Sequence, residues 1–165
     1  MTDTDGRPTS PDETDDERAL LEGTLPPEAS AVLAQIRAEN RGTLVERLGI
    51  EVIEASPGLV VGIMPVEGNT QPYGLLHGGA SVALAETLGS YGAMLHAGPG
   101  RQAVGIEVSA THHRAARSGI VTGRAVALHL GSTVASYEIV VEDSTSRRVC
   151  TARLTCLLMA ARRPD

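Results

Sequence analysis

The spacing of apolar and polar positions predicts two helices and six strands. Apolar residues recur about every third position between 26 and 48, which favours a helix with one buried face. Two alternating runs, 49–55 and 59–66, are separated by a Ser-Pro-Gly turn and predict a hairpin. The stretch 80–97 is apolar or small on every side, a character typical of a buried helix. Four further strand-like runs follow, at 103–111, 119–130, 132–142 and 148–159.

The order of these elements predicts an α+β fold. One long helix would lie across a single antiparallel sheet, and the last four strands have the spacing of a meander. A helix covers only one face of a sheet. We therefore expect the other face and the edges to contact a second subunit.

The charge is divided unevenly along the chain. The net charge is −6, but residues 1–28 sum to −7 and the remaining residues to +1. Residues 1–24 combine acidic groups with Pro, Gly, Ser and Thr, which predicts a disordered acidic arm, with a short helix at 15–22. Residues 25–162 then form a single domain.

The composition also argues against several classes of protein. All 14 basic residues are Arg, and the aromatic residues are three Tyr. An acidic chain with so few rings lacks the basic footprint and stacking platform of a nucleic-acid-binding protein. No signal peptide and no apolar stretch of membrane-spanning length is visible, so we expect a cytoplasmic protein without a membrane partner.

The cysteines and histidines do not have the spacing of metal ligands. Cys150 and Cys156 lie six positions apart in one predicted strand, about 20 Å, and are expected to be separate core thiols. The five histidines lack the spacing of a zinc site, so no metal is predicted. His96 is expected to cap the long helix near Gly98. Tyr91 and Met94 are expected in the core.

Glu86 is the most informative residue of the long helix. It is the only formal charge between Gln71 and Gly100. Buried carboxylates are rare without a partner and tend to have a raised pKa, which marks Glu86 as a candidate catalytic group. The plain alternative is that Glu86 reaches solvent at a kink near Gly89.

The segment before the helix supplies candidate hydrogen-bond donors. Residues 71–79 read Gln-Pro-Tyr-Gly-Leu-Leu-His-Gly-Gly, and glycines at a helix start leave backbone N–H groups open to a carbonyl oxygen. If the helix includes Gly78, Glu86 is eight positions away, or about 12 Å. The helix would then have to start later, a substrate span the gap, or the partner subunit supply the carboxylate. Ser90 lies one turn beyond Glu86 and could support it.

Residues 71–90 resemble the signature of the hotdog-fold acyl-CoA thioesterases. The resemblance continues through 104–114 and 128–132 and covers about residues 40–160. Within that family the sequence is most similar to the branch with a helical Glu, which includes 1,4-dihydroxy-2-naphthoyl-CoA and hydroxybenzoyl-CoA thioesterases. The resemblance implies an antiparallel sheet wrapped around one long central helix.

The family also implies roles for individual residues. Glu86 would be the general base or nucleophile, and Gly78 the backbone donor to the thioester oxygen. Gln71 and His77 would position the thioester, and Ser90 would support Glu86 or the water. The residues implied to line the CoA or acyl groove are Gly105, His112, Arg114, His129, Gly131 and Ser132. The CoA is part of the acyl-CoA substrate, no separate cofactor is implied, and the expected assembly is a homodimer or a dimer of dimers.

Two other functions fit the same elements. A hotdog hydratase or dehydratase would pair a catalytic His with an acid near the helix. A non-catalytic acyl-CoA-binding protein would use the same groove without hydrolysis.

Overall fold

The computed structural model describes residues 27–161. The predicted acidic arm at 1–24, its short helix, and the domain ends at 25–26 and 162 lie outside the described residues. Three helices are α1 (Pro27–Glu39), α2 (Leu44–Arg47) and α3 (Gly78–Ala97). The strands are β1 (Glu51–Ala55), β2 (Leu59–Pro65), β3 (Thr70–Gln71), β4 (Leu75–Leu76), β5 (Arg101–His112), β6 (Ile120–Leu130), β7 (Val134–Asp143) and β8 (Arg148–Ala160).

The main sheet has six strands in the order β1-β2-β6-β7-β8-β5, with antiparallel neighbours. The predicted hairpin β1–β2 and the three consecutive strands β6 to β8 are confirmed. The prediction that the last four strands form a meander is wrong for β5, which pairs with β8 rather than with β6. The chain leaves β4, crosses the sheet as α3, and therefore enters β5 at the far edge.

The long helix packs on the inner face of the sheet through small residues. Leu84 and Leu88 are fully buried. A Cβ at Gly92 would lie 2.7 Å from the ring of Tyr137, and one at Gly89 would lie 2.6 Å from Leu154. Glycines on α3 thus let the helix approach the sheet closely, and this core contains no Phe or Trp side chain.

The first predicted helix is interrupted. Gly42 adopts a φ of +75°, and its N–H donates to the Glu46 side chain at 2.6 Å. A positive φ is readily adopted by Gly and breaks helical geometry, so α1 and α2 are separate helices. No helix in residues 27–161 is long and apolar enough to cross a membrane.

The two cysteines are core thiols, as predicted. Cys150 and Cys156 both lie on the inner face of β8, are buried and form no disulfide. Burial raises the pKa of both thiols. The raised pKa disfavours the reactive thiolate.

Candidate active site

The first turn of α3 has one backbone donor without a partner. His77 is the N-cap, and its Nδ1 accepts the Gly79 N–H at 2.8 Å. The carbonyl of His77 accepts the N–H groups of Ala80 and Ser81 at 3.0 and 3.3 Å. Within the described part of the chain, the Gly78 N–H is therefore the uncommitted donor at the positive end of the helix dipole.

A buried asparagine holds this turn in place. Asn69 Nδ2 donates to the carbonyls of Leu48 and Pro65 at 2.7 and 2.9 Å, and the Asn69 carbonyl accepts the His77 N–H at 2.8 Å. Asn69 is 8% exposed. Its role was not predicted from the sequence, because a Gly-Asn pair signals a turn without indicating what the side chain binds.

Gln71 and Arg114 lie on segments that meet near the same helix end. Gln71 is half-buried on β3, and its side-chain amide forms no hydrogen bond with the described residues. Arg114 is exposed in the loop after β5, and this loop is joined to β4 by the Leu76 N–H, which donates to the Ala116 carbonyl at 2.8 Å.

His112, the last residue of β5, reaches the start of α3. A Cβ placed on Gly78 would lie 2.8 Å from His112 Nε2 and 3.3 Å from both neighbouring ring carbons. The Nε2 vertex of the imidazole therefore points toward Gly78. The absence of a side chain at Gly78 permits this approach.

Glu86 is exposed, which corrects the expectation of a buried carboxylate. Its Oε1 lies 3.3 Å from the position of a Cβ on Gly105, a residue of the edge strand β5. Gly105 has no side chain to cover the carboxylate, and no strand follows β5 in the sheet. The helix nevertheless starts at Gly78, so about 12 Å of helical rise separates Gly78 from Glu86.

A cleft of about 560 Å³ extends from Glu86 along α3. Tyr91 and Met94 are half-buried and both line this cleft, and Tyr91 also packs against the core, as expected. The Tyr91 hydroxyl donates to Asn40 Oδ1, and burial raises the pKa of Tyr91. The other lining residues are Leu44, Val45, Ala83, Thr87, Ser90, Arg101, Gln102 and Ala103. The residues from α2 were missed because periodicity does not indicate which helices face one another.

The remaining predicted groove residues lie at the opposite end of α3. Gly131 and Ser132 form the turn after β6, and a Cβ at Gly131 would lie 2.5 Å from His129 Nε2. His96 Nε2 contacts the Gly131 carbonyl at 2.9 Å, and Arg101 donates to the Ser132 carbonyl at 2.6 Å. His96 thus holds this turn rather than capping its own helix. A single chain does not bring the turn together with Gly78.

The fold and the sequence both match known thioesterases. The model of the thioesterase superfamily matches residues 73–150. The proofreading thioesterase EntH of Cronobacter turicensis is 49% identical over 77% of this chain and 93% of its own length. The chain belongs to the thioesterase superfamily. Its α+β architecture is the hotdog fold, an antiparallel sheet packed on a long central helix.

Solved thioesterase structures share this architecture. A variant of thioesterase PA1618 from Pseudomonas aeruginosa superposes with a TM-score of 0.75, at 38% identity, covering 78% of this chain and 94% of the other. The thioesterase SAV0944 from Staphylococcus aureus gives 0.68 at 32% identity, over 70% of this chain and 97% of its own. SAV0944 was solved with alanine replacing a glutamine, and separately with alanine replacing a glutamate fifteen residues further on.

As a thioesterase, the protein is a thioester hydrolase. These relatives do not support the alternative functions of a hydratase or dehydratase, or of a non-catalytic acyl-CoA-binding protein. Among the described residues, no three His, Cys, Asp or Glu side chains cluster as metal ligands. The chemistry that these residues offer is a carboxylate in an open cleft and a free N–H at a helix start.

Proposed function

We propose that the protein hydrolyses an acyl-CoA thioester to the free acid and CoA, with the Gly78 N–H polarising the carbonyl and Glu86 as general base or nucleophile. The observation that carries this proposal is the uncommitted Gly78 N–H at the start of α3. A donor in this position stabilises the negative charge that develops on the thioester oxygen. Glu86 is exposed in the cleft, where it can reach a water molecule or the acyl carbon.

The separation of Gln71 and Glu86 supports their assignment. They are fifteen residues apart, the same separation as between the two residues replaced in SAV0944. In this proposal the free amide of Gln71 positions the thioester. His77 is the N-cap of α3 and orients the first turn of the helix. Ser90 supports Glu86 or the attacking water.

The carboxylate and the N–H of one site come from two copies of the chain. About 12 Å separates them within one chain, more than one carbonyl carbon can bridge. The outer edge of β5 is open and carries exposed Val104 and Ile106, so it can pair with a second β5. An antiparallel pair centred between Val108 and Ser109 would bring His112 of one chain opposite Gly105 of the other.

This pairing also assembles the groove for CoA. It would bring the loop of Arg114 near the start of β5 in the second copy, where Arg101 holds the turn of Gly131 and Ser132. The groups separated within one chain, including His112 and His129, would then line one groove. A guanidinium group suits the anionic phosphates of CoA.

The acyl group would occupy the cleft beside Glu86. Its walls combine apolar residues of α2 and α3 with the polar side chains of Tyr91 and Gln102. We propose an aromatic acyl group, such as hydroxybenzoyl or dihydroxynaphthoyl, because a flat ring with polar substituents matches an apolar cleft that has a few polar groups.

Release of free thiol from a panel of aryl-CoA and fatty acyl-CoA thioesters tests the function. We expect turnover with highest kcat/KM for the aryl thioesters, and at least about a 100-fold loss in Glu86→Ala. Glu54→Ala, which removes an exposed glutamate on the opposite edge strand, is the matched control and should keep full activity. An equally active Glu86→Ala protein would contradict the proposal.

A single turnover in ¹⁸O-labelled water tests Glu86 as a nucleophile, because label in its carboxylate requires a covalent intermediate. A nucleophilic carboxylate breaks the C–S bond, releases the CoA thiolate and forms a mixed anhydride with the acyl group. Attack of water on the glutamyl carbon then frees the acid and leaves label on Glu86. A general base only removes a proton from water, so its carboxylate stays unlabelled.

A further inference from the structure

We propose that His112 donates a second hydrogen bond, from Nε2–H, to the thioester oxygen bound at the Gly78 N–H. This inference rests on the proposed function and adds a catalytic residue to it. The family resemblance had implied only a place for His112 in the CoA or acyl groove.

The helix start by itself offers this oxygen a single donor. The N–H of Gly79 is committed to His77 Nδ1, and those of Ala80 and Ser81 to the His77 carbonyl. A tetrahedral intermediate places a full negative charge on its oxygen, and each aligned donor lowers the barrier further. Any second donor to this oxygen therefore comes from a neighbouring element.

His112 is placed to be that donor. Its Nε2 is the ring atom nearest to Gly78, and the two flanking carbons are equally distant from the Cβ position there. The ring is thus oriented with Nε2 toward Gly78. Because a Cβ and the nitrogen of one residue are about 2.5 Å apart, Nε2 lies about 5 Å or less from the Gly78 nitrogen. One oxygen can accept from two donors at that separation.

The imidazole of His112 has no other partner among the described residues. The neighbouring His113 differs, because its Nε2 contacts Thr151 Oγ1 at 2.9 Å. A ring that carries a proton on Nε2 stabilises the oxyanion by a hydrogen bond and does not need to transfer that proton.

Vibrational spectroscopy of the bound carbonyl tests the inference directly. Glu86→Gln keeps the size of the side chain and should hold an unreacted acyl-CoA labelled with ¹³C at the thioester carbon. We expect its carbonyl stretch to fall relative to free acyl-CoA. The double variant Glu86→Gln/His112→Leu should show about half of that fall in carbonyl frequency, since one of the two hydrogen-bond donors is lost.

Two further variants of His112 show whether it acts as a hydrogen-bond donor or only packs against Gly78. In His112→Gln, the amide nitrogen lies as many bonds from Cα as Nε2 does, so the shift should largely return. His112→Asn places its amide at the Nδ1 position and should behave like His112→Leu. His113→Leu is the matched control and should leave the stretch of the Glu86→Gln protein unchanged.

Turnover with Glu86 intact gives a second readout. His112→Leu should lower kcat about 100-fold with little change in KM, and His112→Gln should recover most of the loss. A full carbonyl shift in the Leu and Asn variants would overturn the role of His112 alone. Failure of the Glu86→Gln protein to bind any acyl-CoA would overturn the proposed function together with this inference.

Discussion

Gly78 serves two purposes at the level of single residues. It is the first residue of α3, where an N–H has no helical partner, and its missing side chain leaves room for His112. The sequence indicated the first purpose through the His-Gly-Gly triplet. The second depends on β5, which is distant in sequence.

Replacing Gly78 by Pro should remove the N–H and keep the helix. Proline is favoured at the first helical position, and His77 already has the extended conformation, φ −67° and ψ 132°, that precedes proline. We expect thiol release about 100-fold slower than in Gly78→Ala, which adds a Cβ but keeps the donor. Circular dichroism of both variants checks the helix. Equal rates in the two variants would exclude the Gly78 N–H as the oxyanion donor.

Glu86 shows what an isolated charge does and does not indicate. Its position as the single charge in an apolar helix marked it as a candidate catalytic group, and in the structure it lines the cleft. The same reasoning predicted burial, which is wrong for the described chain. Periodicity indicates that a helix face is apolar but not whether a strand or open space covers a particular side chain.

At the level of elements, a buried tyrosine joins the two halves of the sheet. Tyr137 on β7 is fully buried, packs against Gly92 of α3, and donates from its hydroxyl to the Pro57 carbonyl in the β1–β2 turn at 2.8 Å. Burial raises the pKa of Tyr137 to about 12, with a smaller contribution from Cys156. The fold therefore favours the neutral phenol.

Tyr137 should make the stability of the protein sensitive to alkaline pH. A folded-state pKa above the ordinary value of 10.0 means that this stabilisation is complete below pH 10 and is lost as the pH rises toward 12. Tyr137→Phe should be about 1 kcal/mol less stable at pH 8 because the hydrogen bond is lost. The difference should shrink or reverse by pH 12.

Urea unfolding at a series of pH values measures this difference. Tyr73→Phe is the matched control, since Tyr73 is 82% exposed and should not affect the free energy of unfolding. A stability difference between wild type and Tyr137→Phe that stays constant from pH 8 to 12 would contradict the prediction.

The hydrophobic periodicity predicted the bounds of the strands better than it predicted which strands pair in the sheet. The strands at β6, β7 and β8 were found within about two residues of their predicted ends. The short pair β3–β4 was missed because two-residue strands have no period to detect. The partner of β5 was wrong because an alternating pattern marks the faces of a strand but not which strand lies beside it.

At the level of the whole molecule, the charge and the site have different origins. The net charge of −6 arises from residues 1–28, and the remaining chain is near neutral at +1. The acidity of the protein is thus no obstacle to an anionic substrate such as CoA. The proposed site, in contrast, requires two copies of the domain.

Mixing two inactive variants tests a site shared between chains. Gly78→Pro lacks the donor and Glu86→Ala lacks the carboxylate, so each homodimer should be inactive. A heterodimer would contain one site with both groups and one with neither, and should recover about half of the wild-type activity. We expect thiol release to appear after co-expression and purification through two different affinity tags.

An inactive heterodimer of Gly78→Pro and Glu86→Ala would contradict a shared site. If each site were built from one chain, no heterodimer would contain an intact site and the mixture would stay inactive. A heterodimer of wild type with Glu86→Ala is the control for assembly and should also retain about half of the activity.

The sequence by itself determined the local features of this protein: the periods of its strands, the small-residue helix, the single charge at Glu86 and the glycines before it. These features depend on residues close together in the chain. The tertiary structure decided which elements meet: β5 at the sheet edge, His112 against Gly78, α2 beside the cleft, and Glu86 open beside Gly105. Such contacts join residues far apart in sequence, and hydrophobic periodicity, which records only the buried face of each element, carries no information about its neighbour.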